Sequence, residues 1–375
     1  MINVAVIFGG ESHEHDISII TGVQLLNRAN MSDYNLIPIY ISREGKWYTG
    51  DSLFDLDNFT EGIPKSKECI LTPSSAYLYL LKKNKFKRHL KIDACIMCLH
   101  GGYGEGGGIS ALLGMAGIPY SACDLTASAV CLDKVVFKNI MNGLNIKVVD
   151  SITVSYSEYL LSKEVVSQKL QSLSYPIIIK PAKLGSSIGI VLVNNEGELF
   201  ERLEYAFRFD NKVLIEKYVS IVKEINIAII EDKGELVFSD TEEPISGSEI
   251  LSFDDKYKNN PGGFETIKRI SPARIKEEIL QQIKSIAGRI YKDLGLFGVV
   301  RFDFILDNNN ELYMNEVNTI PGSMANYLFD KEKYPYTKLI GILISNAISR
   351  FVKEKENNQV FESDILKSGV KLLEK

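Results

Sequence analysis

Cysteine is sparse and shows no metal-binding spacing. Cys69, Cys95, Cys98, Cys123 and Cys131 are an odd set in mostly apolar settings. Cys95 and Cys98 lie three apart on an apolar stretch, Ala94 to Leu99, without a second pair, which argues against a zinc knuckle. An excess of positive charge is also missing: the formal net charge is -5, so there is no basic footprint for nucleic acid. No run approaches the roughly 18 apolar residues of a membrane span. The amino terminus, Met1 to Gly10, is short, apolar and glycine-ended, and reads as a buried first strand and not as a charged, cleavable signal. A GxxxxGK[ST] phosphate loop and a GxGxxG dinucleotide fingerprint are both lacking, as are internal repeats. What remains is an expectation of a cytoplasmic globular enzyme. With 375 residues, 45% hydrophobic and 24% charged, it should form two or three domains.

The most informative stretch lies near the carboxy terminus. Arg301 and Asp303 are two apart, and so are Glu316 and Asn318, which places each pair on one face of an extended strand. Between them, Asp307-Asn308-Asn309-Asn310 has the composition of a hairpin turn. Pairing the strands gathers Asp303, Glu316 and Asn318 beside a fixed cation, Arg301. Hard oxygen ligands next to an arginine suit Mg²⁺ carrying a nucleotide phosphate. A solvated hairpin with polar faces would give the same local pattern.

Along the chain, strands are expected at Val4–Phe8, Tyr34–Ile41 and Ala94–Leu99, with helices at Asp16–Asn27 and Gly108–Ala116. That alternation predicts an open parallel α/β sheet in a first domain, residues 1–128. The span from 51 to 90 reads as irregular, its basic part, Lys82–Lys91, as a solvated face. A central unit, 129–213, carries Lys134 on a helix and Lys180 at the end of a strand. A carboxy-terminal unit, 214–375, holds strands at Val213–Glu216, Ile225–Ile230 and Leu236–Asp240, a helix at Ala273–Leu294, the two acid-bearing strands and a helix at Pro335–Glu354. A peripheral helix is expected in the last twenty or so residues.

Five further segments carry chemistry. Gly9 to Asp16 follows the first strand and opens a helix, so its free N–H groups can meet a carboxylate or phosphate. There Glu14 could hold an ammonium, while Ser12 or Asp16 could simply cap the helix; His13 and His15 read as exposed loop side chains. His100 to Gly108 has six glycines in nine residues just past a strand end, where ligands collect in open sheets; a flexible surface loop is the other reading. Lys180 with Gly185-Ser186-Ser187 can hold phosphates by point charge and backbone donors. Glu216 and Glu224 offer acceptors suited to an adenine amino group and ribose hydroxyls, or form an ordinary edge strand. Asp254 to Asn260 is rich in turn formers and could act as a lid.

Taken in order, the blocks GGESHEHDIS, LHGGYGEGG, LDK, IIIKPAKLGSSIGI, VLIEKY, DKY, VVRFDF and NEVNTIPGS resemble the D-alanine–D-alanine ligase family of the ATP-grasp superfamily. The resemblance implies an ATP-grasp fold of three α/β units. It implies ATP-dependent joining of two D-amino acids through an acyl-phosphate, for peptidoglycan precursor synthesis. Lys134 and Lys180 would serve the nucleotide phosphates, the lid's Lys256 would bind the nucleotide, and Glu216 and Glu224 would meet the adenosine. Asp303, Glu316 and Asn318 would hold two Mg²⁺ ions, replaceable by Mn²⁺. Glu14 would orient the first ammonium in a group with Ser186 and Tyr257. Arg301 and the backbone N–H of Gly322 would face the oxyanion, with His100 nearby. Partners would be D-amino acids and ATP, without nucleic acid or membrane, and a homodimer is expected from the resemblance alone.

Two departures bear on the second substrate. The glycine loop has Gly106 where the family usually carries an acid. Tyr327 stands five residues after Gly322, where the family usually places a serine that binds the second substrate's carboxylate. A different acceptor, such as D-serine, D-lactate or another amino compound, is therefore an alternative. A nucleotide-binding module without catalysis and a dinucleotide-dependent oxidoreductase are weaker readings, since the catalytic set is complete and the fingerprint glycines are absent.

Overall fold

The computed structural model describes residues 1–28, 32, 34–245 and 268–357. The lid segment from Asp254 to Asn260, with Lys256 and Tyr257, and the carboxy-terminal peripheral helix lie outside the described residues. Strands β1 (Ile2–Gly9), β2 (Tyr34–Ile41), β3 (Trp47–Thr49), β4 (Lys67–Thr72), β5 (Ser75–Lys82), β6 (Lys85–Lys91) and β7 (Ala94–Met97) form one sheet in the order β6-β5-β4-β3-β2-β1-β7. β1 and β7 are fully buried over Val4–Phe8 and Ala94–Met97, as near-continuous apolar strands of a parallel sheet should be.

Only the pairs β1–β2 and β1–β7 are parallel. The stretch read as irregular instead supplies β4, β5 and β6, which extend the sheet antiparallel. Its buried residues, Cys69, Leu71, Leu78 and Leu80, follow a period of two across tight turns at Ser74 and at Lys83-Asn84, all with positive φ. The basic stretch is the edge strand β6, and its charges discourage pairing with another chain.

The second sheet contains β8 (Ser151–Ser155), β9 (Ile177–Pro181), β10 (Val191–Val193) and β11 (Lys212–Lys217), in the order β10-β9-β11-β8. The third contains β12 (Ile221–Asp232), β13 (Glu235–Pro244), β14 (Arg269–Ile270), β15 (Val300–Asp307) and β16 (Leu312–Asn318), all antiparallel, in the order β14-β13-β12-β15-β16. Each sheet has its own apolar cluster. On β15, Phe302 and Phe304 enter the core, so the alternation turns Arg301 and Asp303 to the opposite face.

Helix Lys134–Gly143 joins the second and third sheets. Asp133 caps it by accepting from the N–H groups of Val135 (3.1 Å) and Val136 (3.2 Å), and pairs with Lys212 at 2.6 Å. Phe137 and Met141 pack into the third sheet's cluster, while Val135 meets Ala182 and Leu214 of the second. Lys134 is thereby fixed where the two sheets meet.

Candidate active site

One cleft is lined by residues from the segments that follow β1 and β7 and from the second and third sheets with their loops and joining helix: Glu14, Lys134, Lys180, Ser186, Glu224, Arg301, Asp303, Glu316, Asn318 and Gly322 among them. These are ten of the thirteen site residues expected from sequence. Its floor is the β15–β16 pair, in which Arg301 faces Asn318 and Asp303 faces Glu316 across the register. Arg301 forks Asp303 through Nε to Oδ1 (2.7 Å) and Nη2 to Oδ2 (2.8 Å). Asn318 Nδ2 donates to Asp303 Oδ2 at 3.0 Å. Burial alone would lower the Arg301 guanidinium, but the Asp303 carboxylate with Tyr327 and Glu242 together outweigh it and hold the group above its ordinary value, so it stays charged.

Among the described residues no three His, Cys, Asp or Glu side chains gather around a metal position. The donor set here is two carboxylates, Asp303 and Glu316, plus the Asn318 amide. All-oxygen donors on adjacent strands fit Mg²⁺ or Mn²⁺; Asp303 Oδ2 already accepts from both Arg301 and Asn318, so Asp303 would offer Oδ1, which keeps a lone pair beyond the one given to Arg301 Nε.

Glu14 forms the roof. Ser186 Oγ donates to Glu14 Oε1, joining the first sheet's helix entry to the loop after β9. Ser186 and Ser187 both hold left-handed backbone (φ 52° and 59°), a conformation uncommon outside glycine and kept here at the mouth of the cleft. A side chain at Gly185 would put its Cβ 2.8 Å from Glu14 Oε2, and one at Gly101, 2.9 Å. The carboxylate therefore sits between two glycine loops because neither carries a side chain. The loop after β7 is not a flexible surface segment. Gly102–Glu105 forms a helical turn, and a Cβ at Gly107 would lie 2.8 Å from the Leu125 backbone, so close packing accounts for the glycines. His15 is likewise buried, not exposed: its ring bonds the Gly10 carbonyl (2.6 Å) and the Tyr40 hydroxyl (3.1 Å).

Three buried groups set the electrostatics. Burial alone would raise the Glu216 carboxyl, but Lys180 at 2.6 Å and the contacting Lys138 outweigh it and bring it down to about 2. Glu216 is thus withdrawn from the cleft and bridges two lysines, whereas the adenosine role expected for it requires an open carboxylate. Lys134 reaches the Leu184 carbonyl (2.5 Å) and lies 3.8 Å from Glu316. Burial, reinforced by the Glu14 charge, pushes the Glu105 carboxyl up to about 7. Burial also drives the His100 imidazole down to about 4, so it is neutral near pH 7. His100 Nε2 meets Thr21 Oγ1 at 2.9 Å, and Thr21 Oγ1 accepts from the Ser323 N–H at 3.4 Å, tying the first sheet to the loop of Gly322.

Residues 3–123 match the D-ala D-ala ligase N-terminus family, and residues 140–345 the D-ala D-ala ligase C-terminus family. The chain belongs to the D-alanine–D-alanine ligase family. A D-alanine–D-alanine ligase of Thermosipho africanus (strain TCF52B) is 38% identical over 356 residues, 95% of this chain and 95% of that protein. The D-alanine–D-alanine ligase of Clostridium acetobutylicum is 34% identical over 355 residues, covering 92% and 98%. Among solved structures, the D-alanine-D-alanine ligase from Coxiella burnetii superposes with a TM-score of 0.79 at 26% identity, covering 95% of this chain and 96% of that one. The VanG D-Ala:D-Ser ligase from Enterococcus faecalis gives a TM-score of 0.76 at 28% identity, covering 92% and 99%. The fold is ATP-grasp, and as a member of the D-alanine–D-alanine ligase family the chain is a ligase. No helix among the described residues is long and apolar enough to cross a membrane.

Several cleft or support residues had no role assigned from sequence: Lys138, Glu105, Glu242 and Arg269. Lys138 lies four residues after Lys134 on one helix, a spacing that could have flagged it. Arg269 belongs to no motif, and only β14 pairing with β13 brings it in.

Proposed function

We propose that this ligase joins two D-amino acids, D-alanine to D-alanine, at the expense of ATP, through an acyl-phosphate, in making a peptidoglycan precursor. The observation that carries this reading is that one cleft gathers the two lysines, the oxygen cluster of Asp303, Glu316 and Asn318, Arg301, Gly322 and Glu14. Carboxylate and amine do not condense in water at neutral pH without activation. Attack of the first carboxylate on the terminal phosphoryl group releases ADP. The second amine then attacks the acyl carbon, loses a proton and expels phosphate.

In this reading Lys134 and Lys180 neutralise the phosphoryl oxygens in flight, and Glu216 holds Lys180 in place. Glu224 meets the ribose. Asp303, Glu316 and Asn318 would hold Mg²⁺, which when bound supplies further charge neutralisation. Glu14, steadied by Ser186, orients the first ammonium, with Tyr257 joining that group and Lys256 binding the nucleotide. Arg301 and the Gly322 N–H face the oxyanion, worth roughly 3 kcal/mol per well-placed donor. The three sheets support units at 1–128, 129–213 and 214–375, with helix Lys134–Gly143 packed into the last two. A cytoplasmic homodimer belongs to the same proposal.

The test is D-alanine with ATP and Mg²⁺: D-alanyl-D-alanine, ADP and phosphate should appear in equal amounts. Nucleotide binding without phosphate release for any amino acid would favour a non-catalytic module. A second reading keeps the mechanism and changes the acceptor, and Tyr327 favours it, since its ring stands in the cleft beside Arg301. A panel with D-serine, D-lactate and other amino compounds separates the two, and robust turnover with D-alanine alone would defeat the second.

A further inference from the structure

The cleft continues past Arg301. Arg301 Nη1 donates to the Tyr327 hydroxyl at 3.3 Å. The Tyr327 ring carries the Arg269 guanidinium 4.0 Å above its centroid. Arg269 Nη1 donates to Glu242 Oε2 at 3.1 Å, and Glu242 Oε1 accepts from Asn226 Nδ2 at 2.9 Å. All five side chains line the cleft. The lysine end is marked by Lys134 beside Glu316, which faces Asp303 and so leads to Arg301. Among the described residues, the lysines and arginines lining the cleft are Lys134, Lys180, Arg269 and Arg301, and Arg269 is linked to Arg301 through Tyr327 and not through the oxygen cluster.

That arrangement is costly unless it has a use. The Arg269 and Glu242 side chains are 13% and 5% exposed, and burying such a pair loses much hydration. What it gains is a guanidinium plane fixed twice, by the stack below and by Glu242 at one edge. A fixed planar fork is the geometry that reads a carboxylate, and a guanidinium has five N–H donors to divide between partners. Tyr327 keeps its proton over the working range, because burial and then Glu242 push the phenol up to about 12, and it adds a neutral aromatic wall.

We propose that Arg269, oriented by Glu242 and stacked on Tyr327, receives the carboxylate of the second amino acid. The acceptor is then favoured by its free carboxylate, and amidated or decarboxylated amines are disfavoured. This rests on the ligase reading above. Arg301 acts on the reacting acyl group while Arg269 positions the attacking amine by its other end.

D-Alaninamide tests this cleanly, since without a carboxylate it can act only as an acceptor. In competition with D-alanine, the wild type should prefer D-alanine by about 10- to 100-fold, Arg269→Gln should narrow that to within about 3-fold, and Arg269→Lys, which keeps the charge but loses the fork and the stack, should fall between the two. Tyr327→Phe retains the ring and should retain the preference. Equal coupling of both acceptors by the wild type would overturn the proposal without any variant. So would an undiminished preference in Arg269→Gln, or a loss confined to ATP affinity. If the wild type releases no phosphate with D-alanine at all, the ligase reading itself falls, a result distinct from these.

Discussion

Gly185→Ala isolates the roof of the cleft with a single methyl group. The backbone at Gly185 is not in the left-handed region, so alanine fits it without strain. The new Cβ would lie 2.8 Å from Glu14 Oε2, 3.1 Å from Oε1 and 3.2 Å from the carboxyl carbon. Ordinary contact begins near 3.4 Å, so the carboxylate must retreat by about 0.6 Å. Because the clash meets the end of a flexible side chain, the fold should yield there and survive. A displacement approaching 1 Å at a substrate-orienting group costs up to about 100-fold in rate. We therefore expect kcat/KM for the first D-amino acid to fall about 10- to 100-fold, with ATP affinity changed less than about 2-fold and Tm nearly unaltered. Initial-rate kinetics with direct nucleotide titration decides it. Wild-type kcat/KM, or an equal loss in nucleotide binding, would refute the placement of Glu14 at the amino-acid ammonium.

Arg301→Lys keeps the charge but removes the fork; turnover should drop about 100- to 1000-fold with little change in nucleotide Kd, and equal losses in both would contradict the oxyanion role. Arg301→Ala is the poorer probe, since it leaves Asp303 buried without its partner. Glu216→Gln strips the shared counter-charge from Lys138 and Lys180; it should cost about 3 kcal/mol or more in denaturant unfolding and raise the KM for ATP, and an unchanged KM would remove Lys180 from the phosphates. His100 has a folded pKa of about 4 against an ordinary 6.5, so the unfolded chain binds more protons between those values. Its contribution is complete above pH 6.5 and is lost as pH falls to 4, a change of about 3 kcal/mol that His100→Gln should abolish in pH-dependent unfolding.

The site was more legible in the sequence than its supports were. Arg301, Asp303, Glu316 and Asn318 announce themselves because a period of two on paired strands is a local rule, and the Asn-rich turn fixes the partner. Glu14 and Ser186 could be named, but their hydrogen bond spans 172 residues and depends on two sheets meeting. Glu216 was assigned to the adenosine because a strand-end acid looks available; its burial follows from Lys138, whose orientation only the helix docking determines. The antiparallel hairpins of residues 67–91 were missed because charged edge strands dilute the apolar alternation that marks a strand. Arg269 was invisible for a similar reason: a two-residue strand carries no periodicity.

The central claim is that a carboxylate is phosphorylated before the amine attacks. D-Alanine labelled with ¹⁸O in its carboxylate tests it most directly, by mass analysis of the phosphate released with ATP, Mg²⁺ and this enzyme. An acyl-phosphate route carries one labelled oxygen into phosphate for each dipeptide formed. Dipeptide formation with unlabelled phosphate would contradict the account.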